Sequence, residues 1–461
     1  MSKLIEAINA EETVTENGMM TYSSSMDDVV DLFFKVGASR GKDIIPQFSK
    51  AFASDSDLAI RVALWARDVR GGSGERQLFR DIFAYVIGKD ADLGRRILAK
   101  VPELGRWDDV YVTFGTDIER DGLRLIAQAL KDGNGLCAKW MDRKGANANK
   151  VRAYLKMTPK EYRKLIVGLT NVVEQKMCAD QWTDIEFGKL PSLASARYQG
   201  AFNRHAPLQY KEYKDKLKSG EATINAGAVY PYDVITSLKH GDEVVANAQW
   251  NALPDYLDGS TQNILPLVDV SGSMCCGIGG NYQNTVTCLD VAISLGMYIS
   301  ERSKGLFKDT FLTFTTAPKM QRLNGSLSDR YEQMCGADWH GSTNLDAAFE
   351  LILNSAINHK VPQSEMPTMI LIMSDMQFNY SCKYTANSMI DAKYTAAGYK
   401  RPSVVFWNLN SKQGVPARFD ERGVALVSGF SPAIMESILK CAKFDPYNMM
   451  LEAIMKDRYS F

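Results

Sequence analysis

Long apolar runs and a targeting signal are both missing from this sequence. No stretch approaches the roughly 18 uninterrupted apolar residues that a membrane-spanning helix needs, and the opening residues, MSKLIEAINAEE, lack the basic and then apolar layout of a signal peptide. We therefore expect a cytoplasmic protein without a membrane partner. The chain has 461 residues, 45% hydrophobic and 23% charged, which is ordinary globular composition and enough for two structural units.

Paired cysteine spacing and net charge are also missing. The eight cysteines are scattered between Cys137 and Cys441 without a C-x-x-C pair, which is typical of reduced thiols and not of a disulfide framework. Lys plus Arg number 54, and so do Asp plus Glu, so the chain as a whole has no electrostatic attraction for a polyanion.

Charge is nevertheless uneven along the chain. Between Lys139 and Lys218, 17 Lys and Arg residues accompany 8 Asp and Glu residues, a local net charge of +9. The cations are interleaved with Trp140, Tyr154 and Tyr162, which favours a groove that tracks phosphates and stacks bases. The candidate RNA-binding residues are Lys139, Arg143, Lys144, Lys150, Arg152, Lys156, Arg163, Lys164, Arg197, Arg204 and His205. A solvated helix face explains the same pattern equally well.

The most restrictive motif lies in the second half of the chain. Residues 263–274, NILPLVDVSGSM, run an apolar strand into a D-x-S-x-S sequence, whose alternate side chains can face one point above a parallel sheet. Two further oxygen-bearing side chains follow in the sequence. Thr343 precedes the helical pattern at 344–357, and Asp375 comes after a second apolar run at 369–373. The candidate metal ligands are Asp269, Ser271, Ser273, Thr343 and Asp375. Carboxylate and hydroxyl oxygens suit a hard cation, either Mg²⁺ or Mn²⁺.

These residues resemble the metal-ion-dependent adhesion site (MIDAS) of von Willebrand factor A (VWA) domains. All five positions match in type and order. The resemblance implies a doubly wound, Rossmann-like α/β domain in which a bound Mg²⁺ keeps one position for an Asp or Glu of a partner protein. The sequence departs from the pattern after Met274, where a Gly-rich insertion at 275–283 leaves the shape of the site's rim open.

Residues 256–461 carry the alternation expected of a doubly wound parallel sheet. Continuous apolar runs such as MILIM are typical of strands that are covered on both faces. The predicted strands are 263–270, 309–315, 368–374, 403–409 and 424–427. The predicted helices are 285–303, 326–334, 344–357, 383–397 and 432–442.

Residues 21–255 are predicted to be helical, after a flexible N-terminus at 1–20. Apolar residues at helical spacing predict a helix over 57–70 that ends in a left-handed cap at Gly71 and Gly72. The sequence Thr158-Pro159-Lys160-Glu161 predicts a capping box. Short links between helices favour HEAT-like repeats, with a compact irregular helical domain as the alternative. Residues 219–262 either form an extended connector containing Gly and Pro or complete the helical half.

A helical-repeat region followed by an A domain resembles the TROVE module and the architecture of Ro ribonucleoprotein autoantigens. The segments RVALWARDVRGGSGERQLFRD (61–81) and LGRWDDVYVTFG (104–115) look like those of a relative in which the two halves are paired in the same way. The resemblance implies that the helical half binds RNA. The resemblance does not identify any residue of this sequence as one that recognises an RNA base.

Three functions are compatible with these patterns. The first is a non-catalytic RNA-binding protein whose A domain recruits a partner's acidic residue through Mg²⁺. The second is a protein-interaction scaffold in which the helical half also binds protein. The third is a metal-dependent hydrolase, for which His340 is the candidate base near Thr343. We expect the protein not to be an enzyme.

Overall fold

The first half of the chain is helical in the computed structural model, which describes residues 12–170, 172–239, 243–278, 286–314, 317–336, 343–380 and 384–461. Its helices are α1 (Asp28–Val36), α2 (Ile45–Ser54), α3 (Ser56–Arg67), α4 (Arg76–Lys89), α5 (Ala91–Leu104), α6 (Glu119–Lys131), α7 (Gly135–Trp140), α8 (Ala146–Tyr154), α9 (Pro159–Leu169), α10 (Val173–Cys178), α11 (Ser192–Arg197), α12 (Gln199–His205), α13 (Pro207–Ser219), α14 (Pro231–Lys239) and α15 (Glu243–Asn251).

Successive helices of this half pack against each other. Helices α1 to α5 contact one another in chain order, α7 contacts α9, and α12 contacts α13. The apolar residues that predicted α3, such as Val62 and Trp65, are buried. The predicted capping box is confirmed, because the Thr158 N–H donates to Glu161 Oε2 at 2.8 Å and the Glu161 N–H donates to Thr158 Oγ1 at 3.3 Å.

Two details of the helical half differ from the sequence prediction. Helix α3 ends at Arg67, and the left-handed glycine is Gly74 (φ +73°). Gly72 is instead needed because the backbone of Trp65 lies close to it: a Cβ at Gly72 would be 1.8 Å from the carbonyl oxygen of Trp65. Residues 219–262 contain helices α14 and α15, so they complete the helical half and are not an extended connector.

A six-stranded sheet forms the core of the second half. Its strands are β3 (Ile264–Asp269), β4 (Thr310–Phe314), β5 (Lys319–Arg322), β6 (Met369–Ser374), β7 (Ser403–Asn408) and β8 (Val424–Ser428). The helices are α16 (Cys288–Arg302), α17 (Leu327–Cys335), α18 (Leu345–Asn358), α19 (Ala386–Ala397), α20 (Ile434–Lys440) and α21 (Pro446–Ile454). The strand order is β5-β4-β3-β6-β7-β8.

The predicted strands are confirmed, but the sheet is not wholly parallel. In the spatial order β4-β3-β6-β7-β8, each strand runs parallel to its neighbours. Strand β5 pairs antiparallel with β4 at the edge of the sheet. Strand β5, KMQR, is short and mostly exposed, so it carries no apolar pattern. Strands β3, β6 and β8 are buried at every position, which means that both faces of the central sheet are covered.

A small hairpin precedes α1. Strands β1 (Glu12–Val14) and β2 (Met20–Tyr22) pair antiparallel. The Thr15 hydroxyl donates to the Phe378 carbonyl at 2.6 Å, and Asn17 Nδ2 donates to the Gln377 carbonyl at 2.7 Å. The expectation of a flexible terminus therefore does not hold for residues 12–20, because these bonds hold the hairpin on the loop after β6. Residues 1–11 lie outside the described part.

The two halves share one large hydrophobic core, and residues of the segment 173–245 form a second, smaller cluster. Helix α1 packs on the edge strand β8, where the Ser428 hydroxyl donates to the Phe33 carbonyl at 2.7 Å. Near the C-terminus, the Tyr459 hydroxyl donates to Asp68 Oδ2 at 2.9 Å. Among the described helices, none is both long and apolar enough to cross a membrane.

Candidate cation site and basic surface

Asp269 ends strand β3 at the carboxyl edge of the sheet, where ligands bind in open α/β folds. Its side chain is completely buried. The Ser271 N–H donates to Oδ1 at 2.9 Å, and the Ser374 hydroxyl donates to Oδ2 at 2.5 Å. The hydroxyls of Ser271 and Ser273 lie 3.0 Å apart. The D-x-S-x-S sequence therefore folds as a compact group of oxygen atoms.

Asp375 follows strand β6, next to β3 in the sheet, and is also completely buried. Its Oδ1 accepts the Gln377 N–H at 3.2 Å. Its Oδ2 lies 3.4 Å from Lys412 Nζ but accepts no hydrogen bond. Burial, and then the nearby charge of Asp375, raise the pKa of Asp269 to about 6. Two buried carboxylates and an oxygen without a hydrogen bond are an environment that a cation stabilises.

Thr343 belongs to the same edge of the sheet. It is buried, and its carbonyl accepts the Asn379 N–H at 2.9 Å, which fixes the chain before α18 against the loop after β6. The structure thus places all five predicted ligands at the ends of β3 and β6 or in the loop beside them. His340, the candidate base, lies outside the described residues.

The donor set is made of oxygen atoms, which fits Mg²⁺ or Mn²⁺ better than a soft ion. Within the described ranges, no group of three or more His, Cys, Asp or Glu side chains could hold a metal ion. The candidate set comprises three hydroxyl-bearing residues and two carboxylates.

Sequence reasoning missed two charged residues at this edge. Lys412 Nζ contacts Glu16 Oε2 at 2.6 Å and lies 3.4 Å from Asp375 Oδ2. Lys412 lies in the loop after β7, at the carboxyl edge of the sheet. Its position in the sequence could therefore have indicated that it lies near Asp375. Glu16 belongs to the hairpin between β1 and β2, and the sequence carries no signal for its position.

The basic segment has a fixed loop between α7 and α8. The Asp142 N–H donates to the Tyr111 hydroxyl at 2.7 Å, and the Tyr162 hydroxyl donates to the Asp142 carbonyl at 3.2 Å. Arg143 and Lys144 follow directly and are exposed. The loop presents two cations on an ordered backbone.

The predicted RNA-binding residues divide into accessible and engaged side chains. Within the described chain, the exposed predicted residues that form no ion pair include Arg143, Lys144, Lys156, Arg163, Lys164, Arg204 and His205. Lys150 pairs with Glu119 at 2.6 Å, and Arg152 Nε donates to Asn149 at 3.2 Å. Arg197 contacts Tyr198, and Arg204 is exposed next to His205 in α12.

Aromatic side chains of the segment are less available for base stacking than the sequence indicated. Tyr162 is 1% exposed, so its predicted stacking role is wrong, and its hydroxyl supports the loop instead. One face of Trp140 is covered by the Arg106 guanidinium, 3.8 Å from the ring centre. Tyr154 remains 38% exposed. His205 stacks on Trp182 with ring centres 4.4 Å apart, a pair that the sequence did not reveal.

A polar cavity of about 720 Å³ opens beside this loop. Its wall includes Arg80, Asp108, Lys139, Trp140 and Asp142. Lys139 Nζ lies 5.4 Å from the centre of the Trp140 ring. Lys139 therefore lines a concave surface, whereas Arg143 and Lys144 are exposed and do not line this cavity.

Comparisons with known proteins agree with this architecture. Residues 15–89 and 123–262 match the model of the domain of unknown function DUF2828, and residues 263–458 match that of the domain of unknown function DUF7788. An uncharacterized protein of Acanthamoeba polyphaga mimivirus is 29% identical, over 95% of this chain and 86% of that protein. The crystal structure of the Ro (RSR) protein of Deinococcus radiodurans is similar with a TM-score of 0.51 and 13% identity, covering 94% of this chain and 100% of that one. The chain therefore has a Ro-like fold, with a helical half followed by a mostly parallel six-stranded α/β half.

Proposed function

We propose that this chain is a non-catalytic RNA-binding protein whose α/β half binds a partner protein through Mg²⁺. The observation that carries the proposal is the buried pair of Asp269 and Asp375, in which one oxygen of Asp375 accepts no hydrogen bond. Such a pair is costly unless a cation compensates it.

The five oxygen-bearing residues at the sheet edge would hold the ion. Asp269 and Asp375 supply negative charge, while Ser271, Ser273 and Thr343 supply neutral oxygens. The ion, Mg²⁺ or Mn²⁺, would supply an electrophilic coordination position for an acidic oxygen of the partner. This role follows the MIDAS-like sequence, and the carboxyl-edge placement supports it.

RNA binding is proposed for the exposed cations around the loop between α7 and α8. Arg143, Lys144, Arg163 and Lys164 lie on that loop and on α9, which packs against α7. An ordered backbone reduces the entropy lost when these side chains engage phosphates. The resemblance to TROVE proteins points in the same direction.

The RNA proposal is tested by fluorescence anisotropy with single-stranded and structured RNA across a salt series. Phosphate contacts predict a negative slope of log affinity against log salt, of about 0.7 per neutralised phosphate on a single strand. Changing Lys144, Arg163 and Lys164 together to Ala should flatten the slope. A matched control changes the exposed Lys50, Lys308 and Lys400, which lie outside the basic segment, and should leave it unchanged. Affinity that does not respond to salt would favour the scaffold alternative.

The cation proposal is tested separately by isothermal titration of the full chain with Mg²⁺ and Mn²⁺. Asp269→Ala should abolish ion binding while leaving RNA affinity intact, because the two sites lie in different halves. Ion binding that survives this substitution contradicts the assigned ligand set. RNA hydrolysis that requires Mg²⁺ and disappears in Asp269→Ala would contradict the non-catalytic role.

A further inference from the structure

Two cysteine side chains that the proposed function does not use lie together near the carboxyl edge of the sheet. The sulfur atoms of Cys276 and Cys288 are 3.4 Å apart, and both residues are free thiols. Cys288 is the first residue of α16 and is 2% exposed, whereas Cys276 is half-buried. One sulfur is therefore within reach of a small reagent and the other is shielded.

Main-chain pairing fixes this geometry. Gly277 and Thr287 form an antiparallel bridge, and the Cys288 N–H donates to the Cys276 carbonyl at 3.1 Å. A second bond of 2.9 Å joins the Ile278 N–H to the Val286 carbonyl. Cys276 and Cys288 are thus joined by a main-chain hydrogen bond one position beyond the bridge, which places their side chains next to each other.

The surroundings distinguish the two thiols chemically. Asn410 Nδ2 donates to Cys276 Sγ at 3.2 Å, and its Oδ1 accepts Lys42 Nζ at 2.6 Å. Cys288 is 2% exposed and its thiol donates to the Leu409 carbonyl at 3.4 Å, whereas Cys276 is half-buried. A small oxidant therefore reaches Cys276 first, and Cys288 is the thiol that acts second.

We propose that Cys276 and Cys288 form a redox-active pair that hydrogen peroxide converts into an intramolecular disulfide. The Cys276 thiolate attacks one peroxide oxygen, the O–O bond breaks, and the released hydroxide takes a proton to leave as water. Cys276 is then a sulfenic acid. Cys288 loses its proton and attacks the Cys276 sulfur, the S–O bond breaks, and a second water leaves as the S–S bond forms. Two thiols lose two electrons in total, and peroxide accepts them.

A soft metal site is the competing use of two adjacent thiols. Zinc sites with sulfur ligands have four ligands when structural and three when catalytic. In the described segments no third His, Cys, Asp or Glu completes such a group with this pair.

The test treats the full chain with an equimolar amount of hydrogen peroxide, blocks remaining thiols with N-ethylmaleimide and maps peptides without reduction. The expected product is a peptide pair linked through Cys276 and Cys288, with free thiols falling from eight to six and returning after dithiothreitol. Cys276→Ser and Cys288→Ser should each abolish the link. Cys275→Ser, which removes the exposed neighbouring thiol, should retain it.

Three results would overturn the proposal. They are a link that includes Cys275, oxidation of Cys276 to sulfinic acid with Cys288 still free, and eight thiols that stay free under peroxide. Trapping with a dimedone probe gives a second measurement, because Cys288→Ser should accumulate the sulfenic acid at Cys276 and Cys276→Ser should not accumulate it at Cys288. The outcome is independent of the cation and RNA proposals, since neither reagent requires a bound ion or nucleic acid.

Discussion

At the scale of single residues, Asp269 and Asp375 are buried carboxylates at the carboxyl edge of the sheet. Burial and Asp375 raise the pKa of Asp269, which means that the charged form is disfavoured in the folded state. The only charged side chain within salt-bridge distance of Asp375, in the described residues, is Lys412 at 3.4 Å. The site therefore stores unfavourable electrostatic energy that ion binding would relieve.

Asp375→Asn should separate ion binding from folding. With a chelator present, the variant should melt at the same temperature as the natural chain or above it, because one buried charge is gone. Mg²⁺ at a hundred times its dissociation constant should stabilise only the natural chain, by about 2.7 kcal/mol. Differential scanning calorimetry gives both values, and Asp117→Asn, at an exposed position, is the control. An equal Mg²⁺ response in both proteins would remove Asp375 from the ligand set.

Lys42 should contribute to the reactivity of Cys276. The contact with Cys288 lowers the pKa of Cys276, and the charges of Lys412 and of Lys42, which is held by Asn410 and the Ser411 carbonyl, also lower it. A lowered thiol pKa means that reactivity persists as pH falls below the ordinary thiol range, so Lys42→Met should shift the midpoint of Cys276 alkylation upward, by about half a pH unit. Mass spectrometry of the iodoacetamide product across pH measures it. Lys50→Met should leave the profile unchanged.

At the scale of elements, the hairpin formed by β1 and β2 adds the charge of Glu16 to the rim of the candidate cation site. Glu16 pairs with Lys412 and so draws its ammonium partly away from Asp375. Removing the lysine charge should strengthen Mg²⁺ binding, since a cation no longer competes for Asp375. Lys412→Met should raise Mg²⁺ affinity by about fivefold, corresponding to about 1 kcal/mol.

The opposite change tests the same electrostatic arrangement. Glu16→Gln leaves Lys412 free to neutralise Asp375, so Mg²⁺ affinity should fall, by no more than about fivefold for a partly exposed pair. Isothermal titration measures both variants, with Lys400→Met as the control at an exposed lysine. If both variants changed affinity in the same direction, this account of the rim would be wrong.

The elements that sequence predicted are those with a local signal. Strands β3, β6, β7 and β8 have uninterrupted apolar residues, so their positions agree with prediction to within a few residues. Strand β5 was missed because its four residues, KMQR, lie exposed at the sheet edge. The hairpin was missed because its strands have three residues each and are held by side-chain bonds to a loop more than 300 positions away.

The candidate site was predictable to the same extent. Asp269, Ser271 and Ser273 occur within one turn after a strand, so spacing alone predicts that they converge. The charge of Lys412 and the contact between Cys276 and Cys288 depend on how separate loops meet at the sheet edge. The hydrophobic periodicity of a sequence does not show which loops contact each other in the folded structure. On the helical half, Tyr162 was expected to stack bases, but the structure buries it beneath the loop between α7 and α8.

At the scale of the whole molecule, the helical and α/β halves form one packed body. Asn408 Nδ2 donates to the Phe34 carbonyl at 3.0 Å, and the Gly37 N–H donates to the Ser428 hydroxyl at 3.1 Å. At the other end, Arg458 pairs with Asp68 at 2.8 Å. Both ends of the chain thus contribute to contacts between the halves, and we expect the halves to unfold together.

Gly37→Val tests that coupling at its tightest point. A Cβ at Gly37 would lie 2.7 Å from the Ser428 carbonyl oxygen and 2.9 Å from the Gly429 Cα, and neither backbone group can move without disturbing β8. The substitution should destabilise the protein by about 1–3 kcal/mol. Urea unfolding should follow one transition whether tryptophan fluorescence or far-UV circular dichroism is recorded, and that transition should move to lower urea as a whole.

The matched control is Gly88→Ala in α4, where a Cβ meets no atom within 4 Å. Alanine favours the helix over glycine, so this variant should be more stable by up to about 1 kcal/mol. Two separate transitions in Gly37→Val, with only one of them shifted, would mean that the halves fold independently. A single shifted transition would mean that the helices bearing the basic surface and the sheet bearing the carboxylates respond as one structure, so that a ligand bound to either half stabilises both.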